Sequence, residues 1–474
     1  MRQYDAVVVG GGPNGLAAAI TLARAGLEVV LYEAKPTLGG GVRSAELTLP
    51  GFVHDVGSAI HPYGVGSPIF SQFPLEDYGL EWVYPDAPLA HPLEEGAVML
   101  EVSIDATAQT LGRDGGAYHA LMAPLVRNWQ NLSNDILGPL LRFPNHPLLL
   151  ARFGYRALPP ATLLARTLFR KEPARALFAG IAAHSIMPLD QPVTSAAGLV
   201  LGMLGHAVNW PFPKGGAQTL TDALGAYFRS LGGEVVTDRH VRSLKELPAA
   251  RATLLDITPK QLLTLAEDKL PSSYQKWLQR YRYGAGIFKI DYALDGPVPW
   301  TDPACSRAGT LHLGGTLEEL VASEHALKTG EPPERPYVLV AQHSLFDPTR
   351  APAGKHTLWA YCHVPNGSTF DMTERIETQI ERFAPGFKDI VLARHTLNTA
   401  DLERYSPNYI GGDINGGAAT LWQFVARPVP TPTPYKTPLN GVYLCSSSTP
   451  PGGGVHGMCG YRAAQAALQD KFGL

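Results

Sequence analysis

Residues 5–33 constrain the fold more than any other stretch of this chain. Asp5-Ala-Val-Val-Val-Gly10 is a short, continuous apolar run, the pattern of a strand buried on both faces of a parallel sheet. Gly10-Gly11-Gly12-Pro13-Asn14-Gly15 follows and fits GxGxxG. Leu16 to Ala25, rich in alanine and leucine and without a breaker, predicts a helix closed by Gly26. A second strand over Glu28 to Tyr32 ends at the acidic Glu33, 23 residues after Gly10. Chemistry explains the spacing. Gly10 permits a tight turn, Gly12 lets backbone approach a pyrophosphate, and Gly15 lets the helix pack on the strand. The helix start offers amide hydrogens and a positive dipole end to phosphates. Glu33, with Ala34 and Lys35 behind it, is placed to meet an adenosine ribose. A glycine turn that binds nothing is the bland alternative, and the strand–turn–helix–strand–acid order argues against it.

That fingerprint alone does not separate NAD from FAD. Further glycines narrow the choice. Leu38-Gly39-Gly40-Gly41-Val-Arg43 places an arginine whose planar fork could pair a diphosphate, the bland reading being a surface arginine. Gly51-Phe52-Val-His54-Asp55-Val-Gly57 reads as another loop running close to a ligand. Of the 49 glycines, 12 fall between Gly10 and Gly66 and 7 between Gly441 and Gly473. At the second end, a strand over Val442 to Cys445 leads into Ser446-Ser-Ser-Thr-Pro-Pro-Gly452-Gly453-Gly454-Val455-His456-Gly457, then a helix from about Met458 to Asp470. A second helix start thus points at a ligand. Two glycine-dense ends of one chain predict one site built from both.

These residues carry a resemblance. The Gly10–Gly15 turn with Glu33, Gly39–Gly41 with Arg43, Gly51 to Asp55, and Pro451-Gly-Gly-Gly-Val-His-Gly457 together resemble the phytoene desaturase-related FAD flavoproteins. The chain is most similar to the branch with bacterial carotenoid ketolase-type enzymes and the animal pyridine nucleotide-disulfide oxidoreductase domain-containing protein 2. Phe212-Pro-Lys-Gly215-Gly216-Ala217 looks like that family's entry into a helix, and Leu231 to Val235 followed by Val241 like its strand pair beside the adenine. Ser344 to Pro352 and Gly411 to Gly417 look like substrate-domain segments of the branch. One departure is Ser446-Ser447-Ser448, where many related flavoproteins carry an acid.

The resemblance implies an α/β fold: a Rossmann-like FAD-binding domain interleaved with an α+β substrate domain. It implies FAD as cofactor, with Gly10, Gly12, Pro13, Asn14, Gly15, Glu33, Ala34, Lys35, Gly40, Gly41, Arg43, Val241, Ser446, Gly453, Gly454, Val455 and Gly457 holding it. Residues 1–65, 210–285 and 435–474 would form the FAD-binding domain, and 66–209 with 286–434 the substrate domain. Gly286 to Ala293 reads as a strand crossing between them, and Pro428, Pro430, Pro432 and Pro434 as a stiff connector. The implied activity is removal of hydride from a small lipophilic, isoprenoid or polyene substrate, with oxygen or a quinone as final acceptor, since no second GxGxxG appears. Alternatives are an FAD amine or amino-acid oxidase and a non-catalytic flavin-fold binding or assembly protein.

Candidate acid–base groups are few. His61 and Asp55 follow the arginine loop, and His456 sits in the C-terminal glycine loop; each could move a proton beside a flavin. For His54 and Asp55 a structural hydrogen bond is the stronger reading. No metal-ligand spacing or Ser-His-Asp order stands out among the 15 histidines. Net charge is −3 without a basic run, which excludes nucleic acid as the expected partner. Four cysteines without a CxxC pair predict a reduced, cytoplasmic setting and disfavour a disulfide reductase. A strand beginning at Tyr4 is expected to leave no room for a signal peptide. Gln191 to Pro213 is uncharged but carries Thr194, Ser195, His206 and Asn209, and is read as a buried helix. Leu137 to Ala183, broken by Pro159-Pro160, is read as helical core with solvated arginines, a membrane-touching lid being the alternative. A peripheral membrane contact thus stays open, as does the oligomeric state.

Overall fold

The computed structural model describes residues 3–140, 143–266 and 269–474. The predicted opening forms: β1 (Ala6–Val9), α1 (Pro13–Arg24) and β2 (Val29–Tyr32). β1 is buried at every position, as expected of a strand covered by helices on both faces. It lies between β2 and strand Ala252–Leu255, both parallel to it. Strand Glu234–Val236 adds beyond β2 and strand Val442–Leu444 beyond Ala252–Leu255. Chain segments distant in sequence therefore complete one five-stranded parallel sheet. α1 packs against the last helix, Met458–Ala467, and against Gln218–Ser230.

A second sheet has seven strands in the order 391–397, 286–294, 356–364, 338–341, 308–313, 87–93, 96–100. Its strand Gly286–Leu294 is buried throughout, and its side chains divide strictly by parity. Phe288, Ile290 and Tyr292 join one apolar cluster with Ile376, Ile380 and Phe383 of helix Thr373–Phe383. Lys289 and Asp291 lie on the opposite face and pair with each other. On that face helices Pro147–Ala157, Glu172–Ala182 and Thr194–Val208 add a large apolar layer. The mixed α/β class is as predicted.

The structure corrects two local expectations and bears out the helical reading of a third stretch. Residues 51–57 are not simply a loop, because Val53–Asp55 pairs antiparallel with Ser44–Glu46. Val241 lies in no strand; only Glu234–Val236 forms, and Val241 serves by filling the apolar cluster with Val30 and Leu255. The stretch 137–183 is three helices, Pro147–Ala157, Ala161–Leu168 and Glu172–Ala182, with Pro159-Pro160 separating the first two; residues 141 and 142 of it lie outside the described residues. Gln191–Pro213 contains the buried helix Thr194–Val208. No helix among the described residues is long and apolar enough to cross a membrane.

Candidate functional site

The turn after β1 needs its glycines for contact reasons as well as conformation. Gly10 has φ +105, and a Cβ there would stand 2.9 Å from the Asp256 Cβ. Such a φ is costly for any residue with a Cβ. α1 starts at Pro13, and its N-cap Gly12 supplies no side-chain acceptor to the first amides. Asp256, just beyond strand Ala252–Leu255, accepts from the Gly15 amide at 3.1 Å instead. A carboxyl oxygen thus already accepts at the helix start, where free amides and the positive dipole end favour an acceptor.

The other chain end closes over this turn. Strand Val442–Leu444 lies in register with Thr253–Leu255. Ser446 beyond it donates to the Ile257 carbonyl at 2.7 Å, and Asn14 Nδ2 donates to Ser447 Oγ at 3.4 Å. Between the two glycine loops opens a cavity of about 680 Å3. Gly12, Pro13, Asn14, Gly40, Gly41, Asp256, Ser446, Gly453, Gly454, Val455 and His456 line one end. The cavity continues between the seven-stranded sheet, which offers Ile287, Thr310, Leu339, Trp359 and Tyr361, and the helical layer, which offers Leu150, Phe153 and Val200.

The remaining predicted residues stand behind this lining. Gly10 and Gly15 form the floor of the turn, and Gly457 is the αL cap before the last helix, φ +67. The Glu33 carboxylate accepts from the Gly11 amide at 2.8 Å and the Lys35 amide at 2.9 Å, while Ala34 is exposed. Arg43 does not turn its fork to the cavity. It donates to Glu33 Oε1 at 3.2 Å, the Thr37 carbonyl at 2.7 Å and the Gly40 carbonyl at 2.9 Å. A buried guanidinium needs acceptors, and these three lie nearest, so Arg43 shapes the Gly40 loop. Asp55 also stands outside the lining. Arg350 grips it at 3.2 and 2.8 Å, and the Ala217 amide and Ser44 hydroxyl donate to it at 2.7 Å each. Its place among proton-moving groups is corrected to that of a buried counter-ion.

His61 and His456 do line the cavity. Burial lowers each imidazole to about 4, so both are neutral at pH 7. His456 Nδ1 accepts from the Met458 amide at 3.1 Å. The proton of the neutral ring then sits on Nε2, which is buried without a partner. His456 is therefore a hydrogen-bond donor rather than a base. Both His61 ring nitrogens are likewise without partners.

Asp256 is the residue that motif reading missed. Burial, with a smaller contribution from Glu33, pushes its carboxyl up to about 7 against the Gly15 amide. The folded state thus prefers the protonated acid. The stability from that protonation is complete below about pH 4 and is lost as pH rises to 7. Asp256→Asn is expected to raise the melting temperature at pH 8 and leave it nearly unchanged at pH 4.5; a variant less stable than the parent at pH 8 would refute the assignment. The available signal was positional, an acid at the carboxyl end of a parallel strand, where such sheets bind ligands. Trp359, Tyr361, Thr310 and His184 left no such trace, since only the seven-stranded sheet and helical layer bring them together.

The residues fit a dinucleotide. A Cβ at Gly12 would reach to 3.1 Å from Asp256 Oδ2, and one at Gly40 to 2.9 Å from the Gly12 Cα, leaving bare backbone toward the cavity. Asn14 Oδ1 and Arg427 Nε there are buried and unpartnered.

Comparison with known proteins agrees. Residues 8–73 match the NAD(P)-binding Rossmann-like domain. The mouse pyridine nucleotide-disulfide oxidoreductase domain-containing protein 2 is 28% identical, over 99% of this chain and 94% of its own. An oxidoreductase from Methanosarcina mazei shares the fold with TM-score 0.68 at 17% identity, covering 98% of this chain and 99% of that one. Putrescine oxidase bound to putrescine shares it with TM-score 0.65 at 18% identity, covering 98% and 99%. The architecture is that of a Rossmann-like domain joined to a second sheet, as in these oxidoreductase structures.

Proposed function

We propose that this chain is an FAD-dependent oxidoreductase of phytoene desaturase or dehydrogenase type, removing hydride from a lipophilic isoprenoid or polyene substrate. The observation that carries this reading is the cavity, which runs unbroken from the two glycine turns into an apolar chamber. Bound at those turns, FAD supplies a two-electron acceptor. The Gly12 and Gly40 backbone and the start of α1 would hold its diphosphate, and Glu33 its ribose. Residues 1–65, 210–285 and 435–474 would then act as the FAD-binding part. Leu150, Phe153 and Val200 would exclude water and position an apolar chain. The four cysteines are each free and buried, which speaks against disulfide chemistry.

The first test is an absorption spectrum of the purified protein, then anaerobic mixing with polyenes and amines. Bleaching by a polyene is expected. Bleaching by amines alone would favour an amine oxidase, a reading supported by the shared fold with putrescine oxidase. A colourless protein that cannot be loaded with FAD would leave only a non-catalytic role. Gly12→Leu should abolish FAD retention while the chain stays folded; a yellow variant would overturn the N-terminal assignment.

A peripheral membrane contact belongs to the same proposal. Phe143, Leu148 and Tyr155 are 88%, 87% and 80% exposed, while Leu150 and Phe153 of the same segment line the cavity. Arg152 between them is exposed, as suits an anionic headgroup surface. Co-sedimentation with vesicles containing anionic lipid is expected, and Phe143→Ser with Leu148→Glu should reduce it several-fold. Undiminished binding by that double variant would exclude this face.

A further inference from the structure

The apolar chamber contains polar atoms that its walls do not satisfy. Thr310 and Trp359 share one row of the seven-stranded sheet, with Ala341 paired to both. At two strand spacings, their Cα atoms stand roughly 10 Å apart, and the alanine methyl leaves a trough between them. Thr310 Oγ1 and Trp359 Nε1 are buried without hydrogen-bond partners, and both residues line the cavity. Ser185 Oγ, on the adjoining helical side, is in the same position. Its neighbour His184 also lines the cavity and is bonded through Nε2 to His312 Nε2 at 2.9 Å. Buried hydroxyl and indole groups are rarely left unpaired, because desolvation without a new bond is costly.

Charge defines what can satisfy them. Asp256 and Arg427 are the Asp, Glu, Lys or Arg side chains among the lining residues, and both lie against the glycine turns: Asp256 on the Gly15 amide, Arg427 on the Gly417 carbonyl. The lining of the chamber end therefore offers no carboxylate to receive an ammonium and no cation to receive a carboxylate. The Trp359 ring, an aromatic face that could still attract an ammonium, already has Lys289, in its pair with Asp291, 5.8 Å from its centre. Burial holds His184 neutral, with its imidazole at about 3.

Resting on the reading of this chain as a flavin-dependent oxidoreductase of lipophilic substrates, we propose that the substrate carries a neutral oxygen, hydroxyl or carbonyl, docked between Trp359 and Thr310. The indole N–H donates to that oxygen. The threonine hydroxyl accepts from an alcohol or donates to a carbonyl, so either oxidation level is held. Ser185 and His184 give the same oxygen's surroundings a polar edge in an otherwise apolar chamber. Unsubstituted hydrocarbons offer neither match, an ammonium cannot accept from the indole, and a carboxylate would be buried as a charge with no counter-ion among the lining residues of the chamber.

The test uses the FAD-loaded protein at pH 7.5 and a series with one chain length: octanol, octanal, octane, octylamine and octanoate. Binding is read from tryptophan fluorescence and from the flavin absorption band. Octanol and octanal are expected to bind about tenfold more tightly than octane, and octylamine and octanoate no better than octane. Thr310→Val and Trp359→Phe should each erase most of the alcohol's advantage without weakening octane, and Thr310→Ser should retain it. Octane binding as tightly as octanol would overturn the head-group assignment and leave the lipophilic reading standing. Preferred binding of the amine or the acid would overturn the assignment too. Failure of every member to bind FAD-loaded protein would overturn both.

Discussion

Replacing Gly15 by alanine is expected to collapse the dinucleotide-binding half of the protein. A Cβ at Gly15 would stand 1.9 Å from the Gly10 carbonyl oxygen, well inside van der Waals contact. Neither side can yield cheaply: Gly10 is pinned by its amide bond to the Tyr32 carbonyl at 2.8 Å, and α1 is fixed by the last helix. Overpacking against such backbone costs about 3 kcal/mol or more. Gly460→Ala should behave alike from the opposite end of the chain, because its Cβ would meet the Asn14 carbonyl at 1.7 Å. Gly26→Ala is the control. Its φ of +81 is strained for alanine, but no atom lies within 4 Å of the new methyl, so it should cost about 1 kcal/mol. Thermal melting and flavin retention of the three variants check this. Equal losses in all three would show that backbone conformation, not helix contact, selects these glycines.

The second large effect is expected at Arg350. Its guanidinium is fully buried and binds Asp55 on two oxygens, with Asp347 at 3.4 Å. Arg350→Met would leave both carboxylates buried without their cation, a loss of about 3–5 kcal/mol. The loss should depend on pH in a defined sense. Burial pushes the Asp55 carboxyl up, but Arg350, His343 and the Ala217 amide together hold it well below the usual carboxylate range. In the parent, that stabilisation is present above about pH 4 and fades in more acid solution. Without Arg350, burial dominates and the folded state prefers protonated Asp55. The gap between parent and variant should therefore widen from pH 4 to 7, measured by denaturant unfolding. A gap independent of pH would rule out this ion pair as its source. Arg166→Met, which breaks the exposed pair with Glu318 at 3.2 Å, should cost under about 1 kcal/mol at any pH.

The parts of the site legible in advance were those whose chemistry is local. GxGxxG, its flanking strands and Glu33 lie within one βαβ unit, so spacing along the chain reports geometry directly. The C-terminal glycine loop was legible for the same reason. Arg43 was readable as a residue near the diphosphate but not as the clamp of the Gly40 loop, because its acceptors are backbone carbonyls that any sequence supplies. For Asp55 a structural hydrogen bond was the stronger reading, but its partner, Arg350, lies almost 300 positions away and could not be read from the sequence. For Val241 the family resemblance implies a strand, and residue type does not separate that from a packed loop, because apolar residues suit both equally well.

By itself the sequence determined that a parallel sheet begins this chain, that a helix starts at its first glycine turn, and that the two glycine-rich ends meet at one cavity. Those conclusions rest on backbone sterics and on periods of a few residues. The chamber was decided only by tertiary structure. Thr310, Trp359, His184 and Phe153 come from three strands' width of sheet and two helices, brought together by burial of apolar surface that has no preferred partner along the chain. Which polar atoms such burial leaves unpaired is visible only after the layers have packed.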